Sequence, residues 1–308
     1  MRALEPERFG EYQDLLLRDI PLARYAYSLC GGPCAGMFIT DSAKALAELV
    51  KVCVTDGIPF RVFGGLSNVL VSDAGFDGIV LLNRGGSIRA EKLANGNVIV
   101  SADSGVLMSK LVRFCADEGI AGMEWAAGLP GTVGGAVYGN AGAFGSATAS
   151  VFLDGEYIDE SGTLRPLTKD GMGFSYRSSA MKRRENKGIL TAARFALTNG
   201  DPSEIKAAGD AHRAWRHEHQ PDTLPSLGSV FKNPEGMSAG KLIQDAGLMG
   251  KTIGGAAVST VHANFITTVK GVTSSDYKAL VELVQAAVLE KFGVKLIPEI
   301  EMTGFETE

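Results

Sequence analysis

Between residues 41 and 57, apolar side chains recur at helical spacing (Ala43, Leu46, Ala47, Leu49, Val50, Cys53, Val54), and Asp41-Ser42 stand ahead of them as a cap. The pattern predicts an amphipathic helix. A short strand over 59–63 follows, then another over 79–82, and a third opens at 98–100. Residues 106–118 return to the helical period, with Leu107, Leu111, Val112, Cys115 and Ala116 on one face. From 151 to 197 the pattern predicts short strands, with turns at Asp154-Gly155 and Ser161-Gly162. A polar helix over 202–219 is led by Asp201-Pro202 and punctuated by Pro221 and Pro225. Beyond it come Leu227-Gly228-Ser229-Val230-Phe231, a helix over 238–246, strands near 253–258 and 263–269, a long helix over 275–292 and a closing strand over 296–302. A domain boundary is expected near 205, and no internal repeat or low-complexity segment interrupts the chain.

Two glycine segments break this rhythm. Residues 128–145 hold seven glycines, at 128, 131, 134, 135, 139, 142 and 145. Glycine costs conformational entropy, so dense use implies positive φ or close approach to the backbone. Few charges interrupt the run, which argues against a solvated linker. One reading is backbone wrapped around a large flat or phosphorylated ligand, with peptide N–H groups as donors; the other is a structural turn. In the second segment, the strand over 59–63 runs into Gly64-Gly65-Leu66-Ser67-Asn68. A strand, a Gly-Gly turn and then Ser and Asn can present donors to phosphate oxygens. It lacks the spacing of a Rossmann fingerprint and the Gly-Lys-Ser/Thr of a Walker loop.

Composition narrows the function. The 308 residues are 45% hydrophobic and 21% charged with a net charge of −5, an ordinary globular balance with room for two or three domains and no basic face for general nucleic-acid binding. No apolar run is long enough to span a bilayer, and residues 1–7 lack the apolar core of a signal peptide. A cytoplasmic enzyme is expected, with no membrane or nucleic-acid partner. Cys30, Cys34, Cys53 and Cys115 find no further ligand at metal spacing and are expected to be reduced, partly buried thiols. His212, His217 and His219 lie close in sequence, but on a helix His217 and His219 point about 200° apart, so no metal site is expected.

In order and spacing, the chain's motifs resemble the UDP-N-acetylenolpyruvoylglucosamine reductase (MurB) family. They are Gly31-Gly32-Pro33, the 64–70 segment, the 128–142 segment, Phe174-Ser175-Tyr176-Arg177-Ser178, Gln220-Pro221, the 228–234 segment, the 239–243 segment, His262-Ala263-Asn264-Phe265 and Pro298-Glu299-Ile300. The resemblance implies an α+β chain: an FAD-binding fold of the vanillyl-alcohol oxidase (PCMH) type over 1–205, with subdomains of about 1–82 and 83–205, and a C-terminal α+β substrate domain over 206–308. It implies FAD as cofactor and NADPH as reductant; a monomer is expected. The modest length and the compact 146–200 segment fit the family's shorter members, which lack an extra substrate loop. Departures fall at Tyr27-Ser28-Leu29-Cys30, at Leu227 where a small residue is usual, and at Val261 and Thr268 where Lys and Asn are usual.

Residue by residue, the resemblance implies FAD contacts at Gly64, Gly65, Leu66, Ser67 and Asn68, and at Gly128, Pro130, Gly131, Thr132, Gly134, Gly135 and Asn140. It implies substrate contacts at Tyr176, Arg177, Lys232 and Asn233. The implied reaction adds hydrogen across an enolpyruvyl ether, so the enzyme must stabilise an enolate and deliver one proton. Arg177 matches the substrate-activating arginine, whose planar guanidinium suits a carboxylate becoming an enediolate. Ser229 matches the proton donor, although a serine beside glycine is also a common turn residue. Glu299 matches the third catalytic position. In a strand Glu301 faces the same way, and spacing alone does not choose between the two; the Pro-Glu-Ile pattern selects Glu299. Lys241, Gln244 and His262 are secondary candidates for which a structural role is equally compatible. Two other readings are a flavin oxidase, weakened because no His near Gly64 could tether FAD, and a non-catalytic flavin subunit, which would not need the Ser229 and Glu299 segments.

Overall fold

The computed structural model describes residues 5–305. It divides into two compact units: the stretch up to Arg18 with Gly36–Gly65 and Gly78–Trp215, and Asp19–Ala35 with Leu66–Asp77 and the chain from Arg216 onward. The units are not consecutive blocks, and pairing within the second explains why. Val69–Val71 lies parallel to Glu301–Thr303, with Val69 opposite Glu301. The Asp73 carboxylate accepts the N–H groups of Ser274 (2.7 Å) and Ser275 (2.9 Å) at the start of the helix Ser274–Phe292. Both ties join residues some two hundred positions apart, beyond the reach of a local pattern.

The first unit holds the helix Ala43–Thr55, whose N-cap is Ser42; its Oγ accepts the Ala45 N–H at 3.2 Å. Its buried face (Leu46, Leu49, Val50, Cys53) packs with Phe9, Phe38, Ile79 and Leu81. Within this unit, residues 36–40, 78–83 and Phe60–Phe63 lie side by side in a sheet in that order. The strand Phe60–Phe63 pairs in parallel with 79–82. A larger antiparallel sheet runs Leu164–Thr168, Phe152–Ile158, Ile189–Asn199, Asn97–Asp103, Ile88–Lys92, with Ile120–Ala121 also on Ile189–Asn199. It shares a core with the helices Met108–Asp117 and Val133–Gly139, including Val98, Val100, Leu111, Cys115, Val137, Phe152 and Phe195.

Two local expectations change here. Asp154-Gly155 is not a turn: it lies inside Phe152–Ile158, where a Cβ on Gly155 would stand 2.6 Å from the Ala192 carbonyl oxygen. That glycine permits close strand approach. Ser161-Gly162 does turn, with the Gly162 N–H on the Asp159 carbonyl at 2.9 Å. The 128–145 run contains a helix, Val133–Gly139, although each interior glycine costs about 1 kcal/mol of helix propensity. Tertiary contact overrides that cost, and Val133 and Val137 are fully buried.

In the second unit an antiparallel sheet runs Ser226–Ser229, Phe265–Thr268, Ala256–Val258, Thr252–Ile253. The strand expected over 253–258 is thus a hairpin. The helices Ala239–Asp245 and Ser274–Phe292 share a core with it, including Leu227, Val230, Phe231, Ile243, Val258, Tyr277 and Val284. Thr273 and Asp276 form a capping box on the long helix. The strand expected over 296–302 is shorter: Glu301–Thr303 is strand, and Pro298 makes only an isolated bridge to Phe231. Two departures from the family pattern meet, since the buried Thr268 hydroxyl donates to the Ser28 carbonyl at 2.8 Å.

Candidate active site

The strand Phe60–Phe63 ends on Gly64-Gly65, whose carbonyls accept the Arg84 guanidinium at 3.5 and 3.3 Å. A Cβ on Gly65 would sit 2.8 Å from the Gly131 Cα, and one on Gly64 would sit 2.1 Å from the Thr132 Oγ1. Neither Gly64 nor Gly65 has positive φ. Close backbone approach therefore explains this pair, which presses the first glycine segment against the second. Arg84 was not legible as part of this arrangement, because an isolated Arg after a strand carries no pattern.

The donors divide unevenly between the two segments. At the start of Val133–Gly139 the N–H groups are taken by the protein: Val133 by the Val106 carbonyl (2.8 Å), Gly134 by the Ser104 carbonyl (2.7 Å), Gly135 by the Thr132 Oγ1 (3.4 Å). Among the described residues, no N–H from Gly64 to Asn68 takes part in the turn and loop backbone hydrogen bonds. Consecutive N–H groups on a Gly-Gly turn suit pyrophosphate oxygens. The cradle fits an FAD diphosphate at 64–68; Gly135 is exposed, and a Cβ there would meet only the Thr132 Oγ1 at 3.7 Å, whereas a Cβ on Gly134 would meet Ser104 at 3.1 Å, so that glycine serves packing.

Arg177 occupies a tight turn closed by a bridge between Ser175 and Ser178, with the Ser178 N–H on the Ser175 carbonyl at 3.1 Å. Its φ is +52°, a position that favours glycine. A non-glycine there costs on the order of 1–2 kcal/mol, which marks a side chain kept for another reason. Arg177 is half-buried and lies 5.6 Å from the centre of the exposed Tyr176 ring. Asn140 ends the helix Val133–Gly139 in the left-handed region and is buried. Its side chain has protein partners, the Ser175 carbonyl and the Ala149 N–H.

Within the second unit the remaining candidates converge through the backbone. The Asn68 amide donates to the Glu299 carbonyl (3.2 Å), and the Glu301 N–H donates to the Asn68 carbonyl (2.9 Å). The Glu299 N–H donates to the Val230 carbonyl at 2.7 Å, and the Lys232 N–H to the Ile297 carbonyl at 2.9 Å. Ser229 and Glu299 thus lie on neighbouring chain segments, both half-buried. The buried Asn264 clamps Phe231, two residues beyond Ser229, accepting its N–H (3.0 Å) and donating to its carbonyl (2.8 Å). Its place in His262-Ala263-Asn264-Phe265 was the only sequence signal of this role. Asn233 is exposed, and its Oδ1 accepts the Ala239 N–H at 2.9 Å, so it also supports the helix Ala239–Asp245.

The secondary candidates have structural partners or none that bears on chemistry. Lys241 pairs with Asp245 at 2.6 Å, and Gln244 is exposed. The His262 Nδ1 accepts the Asn264 N–H at 3.2 Å, and burial pushes its pKa below the ordinary value. A histidine held neutral in the fold loses stability as pH falls, because below about 6.5 the unfolded chain binds a proton that the fold resists. Urea melts at pH 7.5 and 5.5 should show that loss in the wild type and a smaller one in His262→Gln. His212 stacks on Phe144 with ring centres 4.0 Å apart, and His217 pairs with Asp222. No group of three metal-ligating side chains occurs among the described residues. All four cysteines are buried and free; burial pushes Cys53 and Cys115 up to about 12, so neither is a thiolate at neutral pH. Among the described residues, no helix is long and apolar enough to cross a membrane.

Comparison with known proteins extends these observations. The family profile "UDP-N-acetylenolpyruvoylglucosamine reductase, C-terminal domain" matches residues 220–303, and the profile "FAD binding domain" matches 34–168. The UDP-N-acetylenolpyruvoylglucosamine reductase of Limosilactobacillus reuteri is 39% identical over 296 residues, covering 96% of this chain and 97% of that protein. That of Caldicellulosiruptor saccharolyticus is 40% identical over 295 residues, covering 94% and 93%. The crystal structure of the Thermus caldophilus enzyme superposes with a TM-score of 0.76 at 30% identity, covering 92% of this chain and 97% of the other.

Proposed function

The chain belongs to the UDP-N-acetylenolpyruvoylglucosamine reductase family, and from that premise we propose that it reduces UDP-N-acetylglucosamine enolpyruvate to UDP-N-acetylmuramate with NADPH as electron source. It is a flavin-dependent oxidoreductase with the family's α+β FAD-binding fold, and its cofactor is FAD. When bound and reduced, FAD supplies the hydride that the enolpyruvyl methylene carbon accepts.

The residues do the rest. Arg177 binds the substrate carboxylate through paired hydrogen bonds and holds the negative charge that develops as the carboxylate becomes an enediolate. Ser229 gives its hydroxyl proton to the adjacent carbon, completing addition across the double bond, and is reprotonated from solvent. Lys232 lowers the cost of the alkoxide left behind, and with Asn233 and Tyr176 holds the rest of the substrate. Glu299 orients the carboxylate site. The N–H groups of 64–68 hold the FAD diphosphate, and Gly128, Pro130, Gly131, Thr132 and Gly135 leave room for the remainder. Residues 1–205 hold the flavin and supply Tyr176 and Arg177 to the substrate, and 206–308 supply the other substrate contacts, in a cytoplasmic monomer whose ligands are small molecules.

The observation that carries this reading is the backbone network joining Asn68, Val230 and Glu299, which sets the two acid-base candidates on adjoining segments. The test uses the purified yellow protein. Sustained NADPH oxidation is expected only when UDP-N-acetylglucosamine enolpyruvate is present, and acid precipitation should release the flavin into the supernatant. Substrate-independent turnover with colour retained in the pellet would instead identify a tethered-flavin oxidase.

A further inference from the structure

The glycine segment and the Arg177 turn are joined by side chains that the reaction itself does not use. Asn140 closes the helix Val133–Gly139 with φ 46° and ψ 58°. Its Nδ2 donates to the Ser175 carbonyl at 2.8 Å, and its Oδ1 accepts the Ala149 N–H at 2.9 Å. The same Ser175 carbonyl accepts the Ser178 N–H that closes the turn around Tyr176 and Arg177. A second tie lies one step beyond the turn, where the fully buried Ser179 donates its hydroxyl to the Tyr138 carbonyl at 2.7 Å. Both ties link the last turn of that helix to the loop. Arg183 adds a third from outside, reaching the Gly173 carbonyl at 3.0 Å and the Ser175 and Ser178 hydroxyls at 3.4 Å.

We infer that Asn140 is a positioning residue for Arg177, and that with Ser179 it makes the end of the glycine segment the scaffold of the substrate-activating turn. The physical need is specific. A non-glycine residue at φ +52° relaxes unless its surroundings fix it. An unanchored turn would let the guanidinium wander from the carboxylate it must meet in bidentate geometry. A buried amide that donates to the turn's own carbonyl supplies that anchor, and its fixed acceptor on Ala149 sets which way the amide faces. Asn140 thus acts through Arg177, whereas the resemblance alone would make it a ligand of the flavin. This inference rests on the role proposed for Arg177.

Asn140→Asp tests it, because the isosteric change keeps the acceptor for Ala149 and removes the donor to Ser175. FAD content and NADPH reduction of the flavin should stay within about threefold of wild type. Substrate-dependent reoxidation should fall roughly 10- to 100-fold, the scale of a misplaced catalytic group. Hydrogen exchange of the 174–180 peptide, measured on flavin-free protein, should rise about tenfold. In an Arg177→Ala background, Asn140→Asp should slow reoxidation no further. Loss of FAD with unchanged exchange would make Asn140 a cofactor ligand and overturn the inference, as would an equal slowing in the Arg177→Ala background. If Asn140→Asp does not fold, Ser179→Ala carries the same expectations through the other tie. Failure of the underlying reading looks different: Arg177→Ala alone would then leave reoxidation at the wild-type rate.

Discussion

Ser229→Ala should leave NADPH reduction of FAD within about tenfold of wild type while slowing substrate-dependent reoxidation by roughly 10²–10⁴, the contribution of a positioned general acid. The two half-reactions differ in one requirement. Flavin reduction delivers no proton to carbon, whereas reoxidation leaves a carbanionic centre that must be protonated. The substitution removes one oxygen from a half-buried strand end, while neighbouring Val230 stays in the core and Asn264 still clamps Phe231, so the fold should persist. Glu299→Ala should also harm the second half-reaction more than the first, through weaker enolate stabilisation. Stopped-flow absorbance of the flavin band reads each half separately. A Ser229→Ala protein that reoxidises with substrate at the wild-type rate would remove Ser229 from the proton-donor role.

Gly65→Val should produce protein with little or no FAD. A β-carbon at this position would stand 2.8 Å from the Gly131 Cα, a distance that real side chains do not reach, and the neighbour is backbone with no rotamer to yield. The loop must move outward, which breaks the Arg84 contacts to the Gly64 and Gly65 carbonyls and displaces the N–H groups of 64–68. Overpacking of this kind costs about 1–3 kcal/mol in stability. The cofactor effect should be larger, since diphosphate recognition depends on the direction of several donors at once. Flavin-to-protein absorbance ratios after purification, with a melt to confirm folding, measure it. A folded Gly65→Val protein with full flavin would show that this turn is structural only.

Much of the secondary structure was legible because the signals are local. Ser42 as cap and the apolar face of 43–55, the polar helix 202–219 and the helix of 274–292 follow from periodicity and end chemistry alone. The Asp154-Gly155 turn misled because glycine serves equally for turning and for close strand packing, and only the neighbouring strand at Ala192 distinguishes the two. The helix inside the glycine run was illegible for a related reason: its propensity is poor, and burial of Val133 and Val137 is what holds it.

The sequence alone determined which residue types were available at the site, since glycine runs, a Phe-Ser-Tyr-Arg turn and the Ser229 and Glu299 segments are covalent facts whose order is specific to one family. Its net charge of −5 gave no sign of a general nucleic-acid binder. Tertiary structure decided what each residue does for its neighbours. That Asn68 ties to Glu299, that Arg84 holds the Gly-Gly carbonyls and that Asn140 anchors the Arg177 turn all depend on hydrogen bonds between residues from about twenty to more than two hundred positions apart. Such bonds form only when folding has brought both partners together, because their energy is directional and short-ranged while sequence pattern records only what lies within a few turns of chain.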